Sequence, residues 1–206
     1  KSNRMNIVNI DHVYSIARNH SNSDKALFLL QEMAEYSRET FMHVMNVSIY
    51  AYYFGEYLGF SKQELELIFD AALVHDLGKL KTPLHVLHKP DQLLPIERQV
   101  MNEHVKESYN MTKDYPELEP ASMLGGLHHE RWDGNGYPFR LKGDEIPWGA
   151  QVLAIVDAWD AMVSNRSYRR GMNRDHALKI LVDERDSGQF NPALVDKFVA
   201  YIETTY

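Results

Sequence analysis

Five histidines and three carboxylates stand at positions that metal binding would explain. The most informative is Asp157, which follows the apolar residues 152–156 in what should be a buried helix. An ionised carboxylate is costly to bury unless it is paired, hydrogen-bonded or bound to a metal. Imidazole nitrogens and carboxylate oxygens are also the ligands left to a chain that contains no cysteine. The candidate metal ligands are Glu39, His43, His75, Asp76, His104, His128, His129 and Asp157.

Spacing along the chain shows how these residues could share ions. Glu39 and His43 are four apart, so on a helix they face the same way. Asp76 directly follows His75, so the two can grip one ion, or the aspartate can bridge two. Taken alone, the Glu39 pair is more typical of an ordinary surface or core pair, and His104 of an exposed histidine.

The joint pattern predicts more than one ion. Eight ligands exceed what a single ion needs, so two or three ions are indicated. Aspartates that bridge ions about 3.5–4 Å apart support in-line displacement at phosphorus, with a metal-bound hydroxide as the nucleophile. The residues therefore point to hydrolysis of a phosphoester.

The elements that must position these residues are helices. Apolar residues recur at helical spacing almost throughout. The sequence contains no sustained two-residue alternation of the kind that would indicate a β-sheet. The fold class is therefore all-α, a helical bundle with long loops near 79–94 and 131–149 that are expected to be functional. The predicted helices cover about 6–18, 24–36, 37–58, 61–77, 95–113, 120–129, 151–164, 174–187 and 192–203.

Composition limits the classes of function. The 206 residues are 44% hydrophobic and 25% charged, as expected of a globular chain with one core. A net charge of −7 argues against nucleic acid or an anionic membrane as the main partner. No apolar run approaches the length of a membrane span, and the absence of cysteine fits a reducing compartment, so a cytoplasmic location is expected.

Three motifs resemble those of a known family. His43, then residues 75–76 and then Asp157 follow the order of the HD phosphohydrolase superfamily, and His-Asp-Leu-Gly-Lys at 75–79 is similar to a motif of its HD-GYP branch. His-His-Glu-Arg-Trp-Asp-Gly-Asn-Gly-Tyr-Pro at 128–138 resembles the signature of that branch nearly residue for residue. The similarity continues through 156–169 and 188–192, and so covers most of the chain.

The resemblance implies an HD-domain helical bundle that acts as a cyclic di-GMP phosphodiesterase. Such an enzyme opens the bacterial second messenger to pGpG, in many members continues to GMP, and in some members prefers 3′3′-cGAMP. His43, His75, Asp76 and Asp157 then resemble the core ligands, with the other three histidines serving a second ion and Glu39 a third. The cofactors implied are two or three divalent transition-metal ions, with iron first and manganese next.

The resemblance also implies roles around the metals. Lys79 beside the metal-binding His75 and Asp76 would act on the scissile phosphate, and Lys79, Tyr137, Arg166 and Arg169 would bind the substrate. Without the resemblance, residues 165–170 would read as a solvated basic turn. Trp132 could stack on a guanine or pack the loop down. Asn46 and Ser108 stand where the family often has arginine and glycine.

The expected organisation follows from the same reading. Residues 37–206 are the phosphodiesterase domain, and residues 1–36 form helices that join an upstream sensor or receiver, or support a homodimer. A diguanylate cyclase (GGDEF) domain is a candidate partner for the Gly-Tyr-Pro loop. The alternatives are a catalytically silent cyclic-dinucleotide receptor and an HD hydrolase acting on another nucleotide.

Overall fold

The computed structural model describes residues 10–21, 23–166 and 168–206. Within these ranges the chain forms eleven α-helices and no β-strand, which confirms the all-α prediction. Short 3₁₀ helices lie at Leu77–Lys81, Pro116–Leu118 and Gly143–Glu145. The α-helices are α1 (Ile10–His20), α2 (Asp24–Tyr36), α3 (Arg38–Tyr57), α4 (Lys62–Val74), α5 (Leu84–Leu87), α6 (Pro95–Asn102), α7 (His104–Thr112), α8 (Glu119–Gly125), α9 (Trp148–Val163), α10 (Arg174–Asp186) and α11 (Pro192–Thr205).

Polar side chains cap several of these helices at their N-termini. The Ser61 hydroxyl accepts from the backbone N–H of Glu64, whose carboxylate accepts in return from the N–H of Ser61, so the predicted capping box is present. The side-chain oxygens of Asn173 and Asn191 accept backbone N–H groups at the start of α10 and α11, so both predicted caps are present. Each cap satisfies amide groups that have no partner within the helix.

The main core lies where α3, α4 and α9 pack together and α10 and α11 cover them. Phe54 of α3, Val152 of α9 and Phe198 of α11 are fully buried there. Full burial of such a side chain stabilises the fold by roughly 1.5–3 kcal/mol. The bundle therefore holds α3, α4 and α9 in fixed relation, and these helices carry or adjoin residues of the candidate site.

A second core joins α2 to α3 and α4. Leu30 and Met33 of α2 are fully buried against Phe41 of α3 and Phe69 of α4. The boundary predicted at residue 36 thus falls between two helices that share a core. The role of residues 1–36 as a connection to an upstream domain stays a prediction, and the predicted helix start at residue 6 lies outside the described residues.

Three predicted helices end earlier or break, each time within three residues of a histidine. The helix predicted to reach residue 77 ends at Val74, the helix predicted over 95–113 divides into α6 and α7, and the one predicted over 120–129 ends at Gly125. In each case a histidine Nδ1 lies at the carbonyl oxygen three residues earlier, competing with the helix for that acceptor. The pairs are His75 with Ala72, His104 with Met101, and His128 with Gly125.

The segment that follows the end of α4 packs closely against the start of α7. An added Cβ on Gly78 would lie 2.0 Å from the carbonyl oxygen of His104. Only glycine therefore lets the segment after α4 lie against the start of α7. None of the helices in the described ranges has the length and apolar character needed to cross a membrane.

Candidate metal centre

Seven of the eight predicted ligands come together in the interior. They are carried by α3, the segment after α4, the start of α7, the segment after α8, and α9. His43, His75, Asp76, His104 and His128 are each at most 5% exposed. Their ligand atoms form two groups: His43, His75, Asp76 and Asp157 in the first, and His104, His128 and His129 in the second.

The first group combines two imidazoles and two carboxylates. His43 Nε2 lies 2.8 Å from Asp157 Oδ1 and 3.4 Å from Asp76 Oδ2. His75 Nε2 lies 3.3 Å from Asp76 Oδ2 and 3.4 Å from Asp157 Oδ1. Ligands of one ion at bond lengths near 2.1 Å lie roughly 3 Å or slightly more apart, so these distances fit a shared cation.

The second group consists of three imidazoles that face the other oxygen of Asp76. His104 Nε2 lies 3.2 Å from Asp76 Oδ1 and 3.3 Å from His129 Nε2, and His128 Nε2 lies 3.8 Å from Asp76 Oδ1. Asp76 therefore presents Oδ2 to one group and Oδ1 to the other. One carboxylate in this position could supply a ligand oxygen to an ion in each group.

Unpartnered polar atoms at the centre of these groups fit divalent ions. The buried atoms His75 Nε2, His128 Nε2 and Asp76 Oδ1 make no hydrogen bond among the described residues. Because a backbone carbonyl can only accept, His75, His104 and His128 each donate from Nδ1. When the ring is neutral, Nε2 then carries a lone pair directed at the site, as metal-binding histidines require. The donor set suits divalent metal binding.

A second carboxylate on α9, which the sequence reading did not single out, fixes His43. Asp160 is 1% exposed, and its Oδ2 accepts from His43 Nδ1 at 2.6 Å. Asn46 donates to Asp160 Oδ1 at 3.0 Å, and the Ser164 hydroxyl donates to the same atom. Asp160 lies three residues after Asp157 on the same largely apolar helix, and that setting is the signal in the sequence.

The electrostatics of the first group show what balances its carboxylates. Burial alone would lower the pKa of His43, but its hydrogen bonds to Asp157, Asp160 and Asp76 raise it well above the usual value. Burial would also lower the pKa of His75, but the negative charge of Asp76 outweighs that effect and raises the pKa to about 9. Burial would raise the pKa of Asp76, but the charges of His75 and Lys79 hold it well below its usual value. The buried carboxylates of this group thus favour positive charge beside them, as a cation site requires.

The second group behaves in the opposite way. Burial lowers the pKa of His129 to about 4, and it lowers the pKa of His128 well below the usual value, with the neighbouring His129 adding to the effect. Both rings are therefore neutral near pH 7. A neutral imidazole is the form that binds a metal, so this group needs no deprotonation before it can do so.

Glu39, the eighth predicted ligand, lies outside both groups found among the described residues. Its Oε1 is 3.6 Å from Arg166 Nη1, while Arg166 Nη2 is 3.4 Å from His43 Nδ1. Glu39 is thus held next to the first group through a guanidinium. Its role as a ligand of a third ion stays a prediction.

The predicted substrate residues occupy three different settings. Lys79 Nζ donates to Asp76 Oδ2 at 2.8 Å, beside both groups. The Tyr137 ring stacks on His129 with centroids 4.8 Å apart. Arg169 instead donates to the carbonyl oxygens of Ala161, Met162 and Arg170, at the end of α9. The assignment of Arg169 to substrate binding stays a prediction, and here its guanidinium caps a helix.

A buried glutamate, to which the sequence analysis assigns no role, holds the signature segment at 128–138. Glu130 is 4% exposed, and its two carboxylate oxygens accept from the backbone N–H groups of Phe139 at 2.6 Å and Leu141 at 2.9 Å. An added Cβ on Gly136 would lie 2.4 Å from the backbone nitrogen of Arg131, so the loop closes on itself only with glycine there. The signature thus encodes a loop shape as well as ligands.

The outer edge of this loop is bonded to the segment before α11. The N–H of Trp132 donates to the carbonyl of Gln189 at 3.0 Å, and the N–H of Asp133 donates to that of Gly188 at 2.9 Å. The Trp132 side chain is half-buried. The two roles predicted for this side chain, stacking on a base and packing against the loop, both stay predictions.

Both departures from the family pattern have partners in the structure. Asn46 contacts Asp160, as described above. The Ser108 hydroxyl accepts from the N–H of Gly78 at 2.7 Å and lies 3.2 Å from the carbonyl oxygen of His75, to which it donates. Ser108 therefore supports the segment that carries His75 and Asp76.

Comparison with known proteins places the chain in a family. The model of the HD domain family matches residues 13–194, so the chain belongs to the HD domain family. A 3′3′-cGAMP-specific phosphodiesterase 2 of Vibrio cholerae is 36% identical over 163 residues, which are 78% of this chain and 31% of that protein. A cyclic di-GMP phosphodiesterase of the same organism is 34% identical over 198 residues, 87% of this chain and 40% of that protein. The chain spans about a third to two fifths of the length of these relatives.

A solved structure shares the fold. Bd1817 of Bdellovibrio bacteriovorus, described as an HDG"Y"P protein, superposes with a TM-score of 0.66 at 17% identity, over 95% of this chain and 65% of that one. The resemblance to the HD-GYP branch and the prediction of an HD-domain helical bundle are confirmed.

Proposed function

We propose that this chain is a metal-dependent phosphodiesterase that hydrolyses cyclic di-GMP to pGpG. The single observation that carries the proposal is the position of Asp76, whose two oxygens face two buried ligand groups at 3.2–3.4 Å. Two ions held by one carboxylate are suited to displacement at a phosphodiester. The relatives named as cyclic dinucleotide phosphodiesterases support the choice of substrate class.

In this proposal each group of residues holds one ion. The first ion would be held by His43, His75, Asp76 and Asp157, and the second by His104, His128, His129 and Asp76. When bound, the ions activate water for attack on phosphorus and stabilise the charge that develops on the phosphate oxygens. The chain itself fixes the ligands: Asp160 orients His43, and backbone carbonyls orient His75, His104 and His128.

Cationic and aromatic side chains around the ions would position the substrate. Lys79 Nζ, 2.8 Å from Asp76 Oδ2, is placed to neutralise an oxygen of the scissile phosphate. Arg166, next to Glu39 and His43, presents a guanidinium on the side of the first group. Tyr137, stacked on His129, forms a wall on the side of the second group.

We further propose iron, with manganese next, as the resident metal, as the resemblance to the HD-GYP branch implies. A donor set of imidazole nitrogens and carboxylate oxygens without thiolate agrees with either metal. A third ion would require Glu39 to exchange its contact with Arg166 for a metal. The number of ions proposed is therefore two, rising to three if Glu39 is released.

The partners proposed are those suggested by the chain's organisation and its exposed loop. Phe139, directly after the Gly-Tyr-Pro sequence, is 69% exposed, which supports this loop as the contact for a diguanylate cyclase domain. An upstream sensor or receiver joined through residues 1–36, a homodimer and a cytoplasmic location complete the proposal.

Protein purified without oxygen provides the direct test. We expect two or three transition-metal ions per chain by elemental analysis and conversion of cyclic di-GMP to pGpG, resolved by chromatography over time. Parallel reactions with 3′3′-cGAMP test the second candidate substrate, which the 36% identical relative favours. Full activity after complete chelation would contradict a metal-dependent reaction. Tight binding of both dinucleotides by iron- or manganese-loaded protein without any product would instead establish a silent receptor.

A further inference from the structure

Helix α6 borders the second ligand group but is itself barely packed. None of its eight residues is buried, and Ile96 is 64% exposed. The helix reaches the centre through Asn102, whose Oδ1 accepts from the Tyr137 hydroxyl at 3.4 Å. Tyr137 in turn stacks on His129, with an interplanar angle of 15°. One face of α6 therefore adjoins the wall that Tyr137 forms.

Arg98 lies on that face. It precedes Asn102 by four residues, so the two side chains are neighbours about 6 Å apart along the helix. Because Asn102 accepts a hydrogen bond from the Tyr137 hydroxyl, Arg98 lies about one helical turn from the residue that contacts this ring. Arg98 therefore lies on a helix beside the second ligand group, whereas Arg166 lies beside the first.

Arg98 differs from the other cations near the centre in having no counter-charge. Lys79 is paired with Asp76, and Arg166 with Glu39. Arg169 donates to backbone carbonyls. The exposed Arg98 side chain makes no hydrogen bond or ion pair with any residue that the structure describes. Its guanidinium is free to take an anion from solution.

A cyclic dinucleotide brings such an anion. It contains two phosphodiesters, of which only one can lie at the metal centre when the ring is opened. The other remains charged and benefits from a cationic partner, for which the planar fork of arginine is well suited.

We propose that Arg98 binds the second, non-reacting phosphodiester of the substrate, with Asn102 next to it on the same face of α6. This assignment rests on the proposed function of the same site. It makes Arg98 a residue that selects substrates with two phosphates over substrates with one.

The test compares two substrates in metal-loaded protein: cyclic di-GMP, and bis(p-nitrophenyl) phosphate, which has a single phosphodiester. For Arg98→Ala we expect KM for cyclic di-GMP to rise about tenfold or more, the usual effect of losing a charged hydrogen bond, with kcat changed less than about threefold. The loss with bis(p-nitrophenyl) phosphate should stay below about twofold, and Arg98→Lys should recover part of the KM. Lys113→Ala, an exposed site at the end of α7 with the same loss of charge, is the control.

Each outcome decides the assignment. A KM for Arg98→Ala no different from that of Lys113→Ala, or equal losses with both substrates, overturns it. A wild-type protein that leaves cyclic di-GMP and 3′3′-cGAMP intact overturns the proposed function and this assignment together. That result is recognised before any variant is made, so the two failures are distinguishable.

Discussion

The carboxylate of Asp160 lies 2.6 Å from Nδ1 of His43, on the ring edge opposite to the nitrogen that faces Asp157. It therefore fixes both the orientation of the ring and the proton on Nδ1. Since Asp160 is buried and also receives Asn46, this orientation is set before any ion binds.

Asp160→Asn should weaken metal binding at the first group. The amide would present a donor either to His43 Nδ1–H or to Asn46 and Ser164, which already donate to this carboxylate. Loss of such an outer partner typically costs about 10- to 100-fold in metal affinity or activity. Metal titration of the chelated protein measures the effect. The matched change Asp175→Asn, at a site 86% exposed on α10, should leave affinity intact, and equal affinity in both variants would contradict the role of Asp160.

Asp76 and His129 should differ in how many ions their loss removes. Asp76 faces both groups, so Asp76→Ala should lose both ions and all turnover. His129 belongs to the second group only, so His129→Ala should lose one ion and keep the other. Elemental analysis per mole of chain gives the counts, with the exposed His176→Ala as the control. Equal stoichiometry in the two ligand variants would rule out a bridging Asp76.

Glu130→Gln should loosen the loop that follows it. Both carboxylate oxygens accept backbone N–H groups, and the amide would direct a donor at one of them. A buried donor left without a partner costs roughly 1–3 kcal/mol. Urea unfolding measures the loss of stability. Glu145→Gln removes a similar acceptor for the N–H of Lys142 at an exposed site, so it should cost clearly less. Equal losses would show that Glu130 does not hold the loop.

The chelated protein should be most stable near pH 6.5. The pKa of His75 is raised to about 9, so its contribution is complete below pH 6.5 and is lost as the pH rises from 6.5 to 9. The pKa of His129 is lowered to about 4, so as the pH falls from 6.5 to 4 the unfolded chain binds a proton that the folded chain does not. Stability therefore declines on both sides. Urea unfolding between pH 4 and 9 checks this, and a free energy of unfolding that stays constant from pH 6.5 to 9 would refute it.

Part of the candidate metal centre could be predicted from the sequence, because an ionisable residue among apolar neighbours is conspicuous. Asp157 follows an apolar run on α9 and needs a cation or a hydrogen-bond partner. Helix ends could also be predicted where a neighbouring residue caps the helix: α2 begins and ends as predicted. Spacing could not indicate that His104 would meet His128 and His129, because that depends on how α7 packs beside α8.

The helix breaks near His75, His104 and His128 could not be predicted from the apolar pattern. Each ring bonds to a carbonyl three residues earlier, and nothing in the apolar pattern distinguishes such a histidine from one pointing outward. Asp160 was overlooked because its partner His43 is 117 residues away, and only the packing of α3 on α9 brings them together.

The hydrogen bonds from Trp132 and Asp133 to Gln189 and Gly188 bear on any attempt to shorten this protein. All candidate ligands precede residue 158, which makes a fragment ending after α9 look sufficient for metal chemistry. Such a fragment would lack the anchor of the signature loop and the fully buried Phe198. Minimal versions made for engineering or screening should therefore retain the C-terminal helices, even though those helices supply no ligand.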